Sequence, residues 1–249
     1  MPVISVNDLF SEPPLWEETN VITEMTCNRI DIWRVSLLQN EELFNYLFTF
    51  LDEAGIEKYN RYYKEEDKKR FLISHSATRI LMGKYLFQNP PDVKIKEGIN
   101  KKPFVINEGE KELYYNLSHS GDWILIAVSK YDVGIDIELI NSSFSFSSIV
   151  DSAFSTEESE FLKQSEQSPE AFYLLWTRKE ALLKGTGKGL VDNLSDIPSL
   201  DGVSSISDEI IGSVDSWRIG SFGVEKQYVA SVAYSDKIDT ARFFQLTLD

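Results

Sequence analysis

The 249-residue sequence predicts an α+β protein built from two similar halves, and three observations lead there. Two β-rich runs, Trp-Ile-Leu-Ile-Ala-Val-Ser at 123–129 and Tyr-Val-Ala-Ser-Val-Ala-Tyr at 228–234, fall near the ends of the two halves. Each half also carries a long helical pattern, Ile56–Leu86 in the first and Ala171–Lys184 in the second. The order of strand, helix and strands repeats at about half the chain length. Residue identity between the halves is weak, so the repeat is one of architecture.

Taken in order, residues 1–27 show little periodicity and predict a loosely held arm. The first half, 28–130, opens on the alternating run Arg29–Leu37, a strand. Glu41–Phe50 reads as a short amphipathic helix. Ile56–Leu86 follows, with a basic cluster at Lys58, Arg61, Lys64, Lys68, Lys69 and Arg70 that is either a solvated helix face or a binding surface. Asn89-Pro90-Pro91 ends it. Leu113–Leu117 and Trp123–Ser129 read as strands.

The second half, 131–249, starts with the strand Val133–Ile140 and a serine-rich loop at 141–148. Ser155 and Glu158 form a capping box for the helix running to Lys163. The next helix, Ala171–Lys184, is stopped by Gly185, Gly187 and Gly189, because glycine tolerates the left-handed conformation that ends helices. A polar stretch, 192–215, leads to the strand Tyr228–Tyr234.

Composition narrows the function classes. A net charge of −15 opposes general affinity for nucleic acid or anionic membranes. The single cysteine, Cys27, allows no internal disulfide and suits a reducing compartment. No apolar run approaches the roughly 20 residues of a membrane span. The Met1–Asn20 segment, acidic and broken by Pro13 and Pro14, is no signal peptide, so a cytoplasmic location is expected.

Two stretches carry chemistry. In Val133–Ile140 the odd positions are apolar, leaving Gly134, Asp136 and Glu138 on the other face. Two carboxylates at i and i+2 stand ~7 Å apart and repel unless a cation joins them. Oxygen ligands favour a hard ion such as Mg²⁺; a solvated acidic strand edge is the alternative. In the later helix, Trp176, Glu180 and Lys184 recur at four-residue steps and share one side. Glu180 and Lys184 either pair with each other or work in a cleft. Gly185-Thr186-Gly187-Lys188-Gly189 ends a helix and is no phosphate loop. Only His75 and His119 are present, too few for a histidine-rich zinc site. Adjacent Ser118 and His119 point apart in an extended segment and make a poor nucleophile–base pair.

Three stretches together are specific. Asn116-Leu117-Ser118-His119-Ser120, Gly134-Ile135-Asp136-Ile137-Glu138 and Trp176-Thr177-Arg178-Lys179-Glu180-Ala181-Leu182-Leu183-Lys184 resemble, in order and spacing, the three signatures of the 4′-phosphopantetheinyl transferases. Lys102-Pro103-Phe104 before the first signature agrees with the larger, monomeric Sfp-type branch. The resemblance spans roughly residues 28–235. It implies a pseudo-dimer of two α+β halves with coenzyme A in the cleft between them.

By position, the resemblance implies that Asp136, Glu138 and Glu180 hold Mg²⁺, or Mn²⁺ in its place, with the pyrophosphate of coenzyme A. Lys184 falls on the phosphates, and Ser118, His119 and Lys102 near the adenosine 3′-phosphate. Arg70 contacts the nucleotide and Lys58 a phosphate; Gly55 stands where the branch often has another basic residue. The implied reaction moves phosphopantetheine to a serine of an apo acyl or peptidyl carrier protein, releasing adenosine 3′,5′-bisphosphate. Such proteins serve fatty-acid, polyketide or nonribosomal peptide assembly. Positioning and charge neutralisation dominate such transfers. Either Glu180 or a metal-bound water that it orients takes the serine proton. A Mg²⁺-dependent nucleotide phosphohydrolase is the alternative enzyme, and a non-catalytic nucleotide-binding protein follows if the three carboxylates do not converge. Asn141–Phe154 is either a carrier docking surface, with Phe144, Phe146, Ile149, Val150 and Phe154 as anchors, or a loop folded over the core.

Overall fold

A computed structural model describes residues 1–8, 14–19, 22–38, 43–98, 102–106, 113–189 and 193–248. The chain runs β1 (Val3–Asp8), β2 (Glu17–Glu18), β3 (Arg29–Ser36), α1 (Phe44–Phe48), α2 (Glu53–Arg61), α3 (Glu65–Leu86), β4 (Lys94–Glu97), β5 (Pro103–Ile106), β6 (Tyr114–Ser120) and β7 (Trp123–Ser129). It continues β8 (Val133–Leu139), α4 (Ser147–Ala153), α5 (Thr156–Gln164), α6 (Pro169–Thr186), β9 (Gly202–Ser205), α7 (Asp208–Ile211), β10 (Trp217–Gly223), β11 (Tyr228–Ser235) and β12 (Thr240–Gln245).

Two five-stranded sheets form, β2-β12-β3-β7-β6 and β8-β11-β10-β1-β9, beside a β4-β5 hairpin. Period-2 alternation explains how they stack. Ile30 and Ile32 of β3 and Leu125 and Ala127 of β7 face the second sheet, meeting Val133, Ile135 and Ile137 of β8. Trp33, Val35, Ile124, Ile126 and Val128 face the other way, onto Leu72, Ile73, Ala77 and Leu81 of α3. On the far side of the second sheet, Ala181, Leu182 and Leu183 of α6 pack on Ile219 and Ala233. The layers are therefore helix, sheet, sheet, helix, and the expected α+β class with a repeated unit is what the chain adopts.

The termini depart from expectation. Within the 1–27 segment expected to be a loose arm, Val3–Asp8 lies between β9 and β10, parallel to β10, with Ile4 and Val6 buried. Trp16 packs edge-on to Phe243 at 5.3 Å between ring centres. β12 in turn joins the first sheet, parallel to β3. Each half thus lends a terminal strand to the other, and the 28–130 and 131–249 spans leave out that exchange. An alternation of six residues beside prolines and acids is too short to predict a strand.

The helical run expected over Ile56–Leu86 is broken. α2 ends at Arg61, capped by the extended Tyr62, and α3 starts after the extended Lys64, where Glu65, Glu66 and Asp67 suit the positive end of a new helix. The break folds α2 back until the Lys58 ammonium lies 5.5 Å from the Phe71 ring centre. The start expected for the first short helix at Glu41 lies outside the described residues. Within the polar 192–215 stretch, β9 and α7 form.

Asn141–Phe154 is a cover for the core and not an open docking loop. Phe146 stacks on Phe172 with 4.4 Å between ring centres, and Phe154 meets the same ring edge-on at 5.7 Å. Both are buried, whereas Phe144 is 41% exposed.

α6 crosses β8 at backbone contact. A Cβ on Gly134 would lie 2.0 Å from the Ala181 carbonyl oxygen and 2.2 Å from the Gly185 nitrogen. We expect Gly134→Ala to destabilise the fold by at least about 2 kcal/mol through overpacking. Urea unfolding measures it, and an unchanged midpoint would refute the close approach.

Candidate active site

Most of the side chains expected to carry chemistry gather in two adjoining cavities, one within the first half and one between the halves. The larger, 790 Å³, is lined from α2 and α3 by Lys58, Arg70, Ser74, His75 and Arg79, and from β6 by His119. The smaller, 360 Å³, is lined by Ser118, Asp136, Glu138, Trp176, Glu180 and Lys184. Leu117 and His119 border both.

β6 and β8 are the edge strands that meet here, and side chains join them. Alternation places Asn116, Ser118 and Ser120 on one face of β6. The Ile135 N–H donates to Asn116 Oδ1 at 2.9 Å, Ser118 Oγ to Asp136 Oδ1 at 2.9 Å, and Ser120 Oγ to Glu138 Oε2 at 2.9 Å. The Leu139 N–H donates back to Ser120 Oγ at 3.0 Å. From α6, Lys184 Nζ reaches Asp136 Oδ1 at 2.6 Å and Ser118 Oγ at 3.0 Å. The four-residue steps place Trp176, Glu180 and Lys184 above the two carboxylates of β8. Lys184 therefore pairs with Asp136 of β8.

Electrostatics single out the acidic cavity. Burial raises the Glu138 carboxyl above its ordinary pKa, and the Asp136 charge adds to it. Glu180 is raised by the same two causes in the same order. Asp136 Oδ2 is buried and meets no partner among the described residues. Three carboxylates on one small cavity, with one oxygen unsatisfied, fit a hard divalent cation. Among the described residues, no three His, Cys, Asp or Glu side chains stand close enough together to hold a metal ion; the Lys184 ammonium lies on Asp136 instead.

In the basic cavity Arg70 pairs with Asp67 at 3.2 Å, while its buried Nε meets no partner among the described residues. Ser74 Oγ, also lining this cavity, is likewise buried without one. Burial, then the neighbouring Arg70 charge, holds His119 below its ordinary pKa. Both readings of the basic cluster apply: Arg61 and Lys68 pair with Glu57 and Glu65 along their helices, whereas Lys58 and Arg70 line the cavity.

Two placements differ from expectation. Ser118 lines the acidic cavity and holds Asp136, away from Lys58 and Arg70. Lys102 lines neither cavity. Its ammonium donates to the Gly185 carbonyl and to Asp132, so it is committed to the far half. Sequence reasoning missed Ser120, whose two-residue spacing from Ser118 marks the same face. It also missed Asp52, His75 and Arg79, which are far apart in sequence and carry no motif.

Comparison with known proteins decides the family. Residues 132–233 match the 4′-phosphopantetheinyl transferase superfamily, and residues 37–131 match the 4′-phosphopantetheinyl transferase N-terminal family. The 4′-phosphopantetheinyl transferase HetI of Nostoc sp. is 32% identical over 66% of this chain and 70% of its own. The 4′-phosphopantetheinyl transferase Sfp of Bacillus subtilis is 30% identical over 74% of this chain and 82% of its own.

The chain belongs to the 4′-phosphopantetheinyl transferases, and within them to the Sfp type. The transferase moves the phosphopantetheine group of coenzyme A to a carrier protein. A solved structure, the holo-[acyl-carrier-protein] synthase of Helicobacter pylori in complex with coenzyme A, aligns over 40% of this chain and 97% of its own. At 19% identity and a TM-score of 0.32 it bears on neither fold nor site.

His75 gives the basic cavity a pH signature. Its Nε2 accepts from Arg79 Nε at 2.9 Å, and burial, followed by the Arg79 charge, lowers its pKa to about 4. The unfolded chain takes this proton near pH 6.5, the folded protein only near 4. Between them the unfolded state binds more protons, so stability is complete above that window and falls as the pH drops through it. The full difference is at most about 3 kcal/mol. In urea unfolding at about pH 7 and about pH 5, His75→Gln should lose less stability than the parent. Equal losses would place the titration elsewhere.

Proposed function

We propose that the transferase holds the adenosine 3′-phosphate of coenzyme A in the basic cavity and its pyrophosphate at the acidic one. The unpartnered Asp136 Oδ2 among three carboxylates is the observation that carries this reading. Asp136, Glu138 and Glu180 would hold Mg²⁺, with Mn²⁺ as a substitute. The ion, when bound, supplies charge neutralisation on the phosphate oxygens.

The chain's own groups do the rest. Lys58, Arg70 and His119 line the wall that receives the 3′-phosphate, where charge-assisted bonds are strongest. Lys184, now on Asp136, lies within reach of phosphate oxygens entering the smaller cavity. Glu180, its carboxyl raised by burial and by Asp136, takes the proton of the acceptor serine. The serine oxygen forms a bond to the phosphorus on the pantetheine side. The P–O bond to the adenosine side breaks, and adenosine 3′,5′-bisphosphate leaves with the electron pair. Ser118 and Ser120 orient Asp136 and Glu138.

Both cavity walls come from one chain, which suits a monomer acting on an apo acyl or peptidyl carrier protein. No helix among the described residues is long and apolar enough to cross a membrane, and Cys27 is exposed. A reducing cytoplasm, where coenzyme A is abundant, fits both.

Incubation with coenzyme A, Mg²⁺ and an apo carrier protein should add the mass of one phosphopantetheine to the carrier, read by mass spectrometry. Asp136→Asn should lower that rate by at least ~10²-fold while coenzyme A still binds. Wild-type transfer undiminished in excess chelator would remove the ion from the reading. Turnover of coenzyme A without an acceptor would favour a phosphohydrolase.

The nucleotide wall has its own test. Arg70→Ala should narrow the preference for coenzyme A over dephospho-coenzyme A by about tenfold, since a bond to a charged group contributes roughly 1.5–3 kcal/mol. Calorimetric affinities for the two ligands give the ratio. A ratio that stays fixed would move the 3′-phosphate away from Arg70.

A further inference from the structure

Lys102 belongs to the first half, at the foot of the β4–β5 hairpin, where its carbonyl accepts from the Gly98 N–H at 2.8 Å. Its side chain crosses to the second half. The ammonium meets Asp132, the residue before β8, and the carbonyl of Gly185 in the last turn of α6. That carbonyl is one of the four at a helix end without an intrahelical partner, where a cation is also favoured by the helix dipole. The aliphatic stem lies along Gly187, whose Cβ would sit 3.2 Å from Lys102 Cδ. Burial lowers the Lys102 pKa and the Asp132 charge opposes that shift, so the carboxylate and the carbonyl keep the cation in place.

Gly185 is next to Lys184, whose Nζ bridges Asp136 and Ser118. One ammonium therefore ties together a first-half hairpin, the start of the strand that carries Asp136, and the end of the helix that carries Lys184. We propose that Lys102 is a positioning residue, a latch between the halves that holds the last turn of α6 so that Lys184 is aimed at the reacting phosphates. It rests on the site reading above and assigns Lys102 no contact with coenzyme A. Misplacing a group by about 1 Å costs up to ~10²-fold in rate. With the latch removed, Lys184 loses its aim while the nucleotide wall of Lys58, Arg70 and His119 stays intact.

Lys102→Met keeps the stem and deletes the charge. We expect kcat to fall about tenfold, KM for coenzyme A to move less than about threefold, and the ratio of affinities for coenzyme A and dephospho-coenzyme A to stay constant. Lys102→Arg, which retains a donor for both partners, should recover part of the rate. In a Lys184→Ala background the same substitution should cost under about twofold, because the two act through one group. Hydrogen exchange read by mass spectrometry should quicken in the peptide spanning residues 182–189 and leave that spanning 65–86 unchanged; this readout needs no turnover. Unaltered exchange at 182–189 overturns the latch, as does full additivity with Lys184→Ala. A narrowed preference against dephospho-coenzyme A would make Lys102 a phosphate ligand instead. Failure of wild-type transfer with the exchange result intact would overturn the site reading and leave the latch standing.

Discussion

With a hydrogen at Gly134 in place of a methyl group, α6 lies on β8 with no side chain between them. A Cβ there would meet the Ala181 carbonyl at 2.0 Å, and one on Gly185 would meet the Trp217 ring at 2.8 Å. The site depends on this contact. A helix stood off by ordinary side chains would sit several ångströms further away, at the 8–10 Å spacing usual for packed elements. Lys184 would then fall short of Asp136, and Glu180 would leave the cavity it shares with Glu138. The two glycines thus convert a spacing of four in a helix and two in a strand into one cluster of charges.

That cluster also needs its second wall. The edges of the two sheets meet at β6 and β8, which share no backbone ladder, so the seam is made by Asn116, Ser118 and Ser120. Hydroxyls suit the task, since each donates to a carboxylate while accepting from an N–H, Ser120 from the Leu139 backbone and Ser118 from Lys184. The seam alone is a thin joint. Exchange of β1 and β12 between the sheets and the apolar layer between Ile30, Ile32 and Val133–Ile137 fix the halves to each other elsewhere. The cleft therefore sits at a rim where polar contacts, open to exchange with a ligand, replace apolar ones.

The sequence was most informative where periodicity was long or where residue types were chemically unusual. The alternation in 123–129 and 133–139 gave both strands and correctly sorted Asp136 and Glu138 from the apolar face. Their place beside Glu180 was legible only through the resemblance of three separated stretches. What escaped was non-local. Val3–Asp8 becomes a strand because β9 and β10 are there to pair with it, and nothing nearby in sequence says so. Tyr62–Lys64 interrupts the helix because refolding α2 against α3 brings Lys58 over Phe71, a tertiary gain that helical spacing does not encode. The serines around Phe146 leave both an exposed and a buried reading open, because the ring that buries it, Phe172, lies in another helix. Lys102 shows the same limit in chemistry, since its partners are the Gly185 carbonyl and Asp132.

Charge is arranged in the cleft against the average of the chain. At −15 overall the protein repels anions at long range, yet one wall presents Lys58, Arg70 and His119 while the adjoining one presents Asp136, Glu138 and Glu180. Screening over roughly 8–10 Å at physiological salt confines each sign to its own wall, so contacts inside the cavities decide binding. An anion alone satisfies only the basic wall. At the acidic wall it meets Glu138 and Glu180, whose carboxyls burial and the Asp136 charge raise, with Lys184 the one cation among the described residues lining that cavity. A divalent ion alone satisfies only the acidic wall and leaves the buried Arg70 Nε unpartnered. The proposed ligand, with a phosphate monoester and a metal-chelating pyrophosphate on one nucleotide, would satisfy both walls together. The orphaned groups divide the same way, Arg70 Nε and Ser74 Oγ on the basic wall and Asp136 Oδ2 on the acidic one, as the proposed placement of one coenzyme A molecule across both requires.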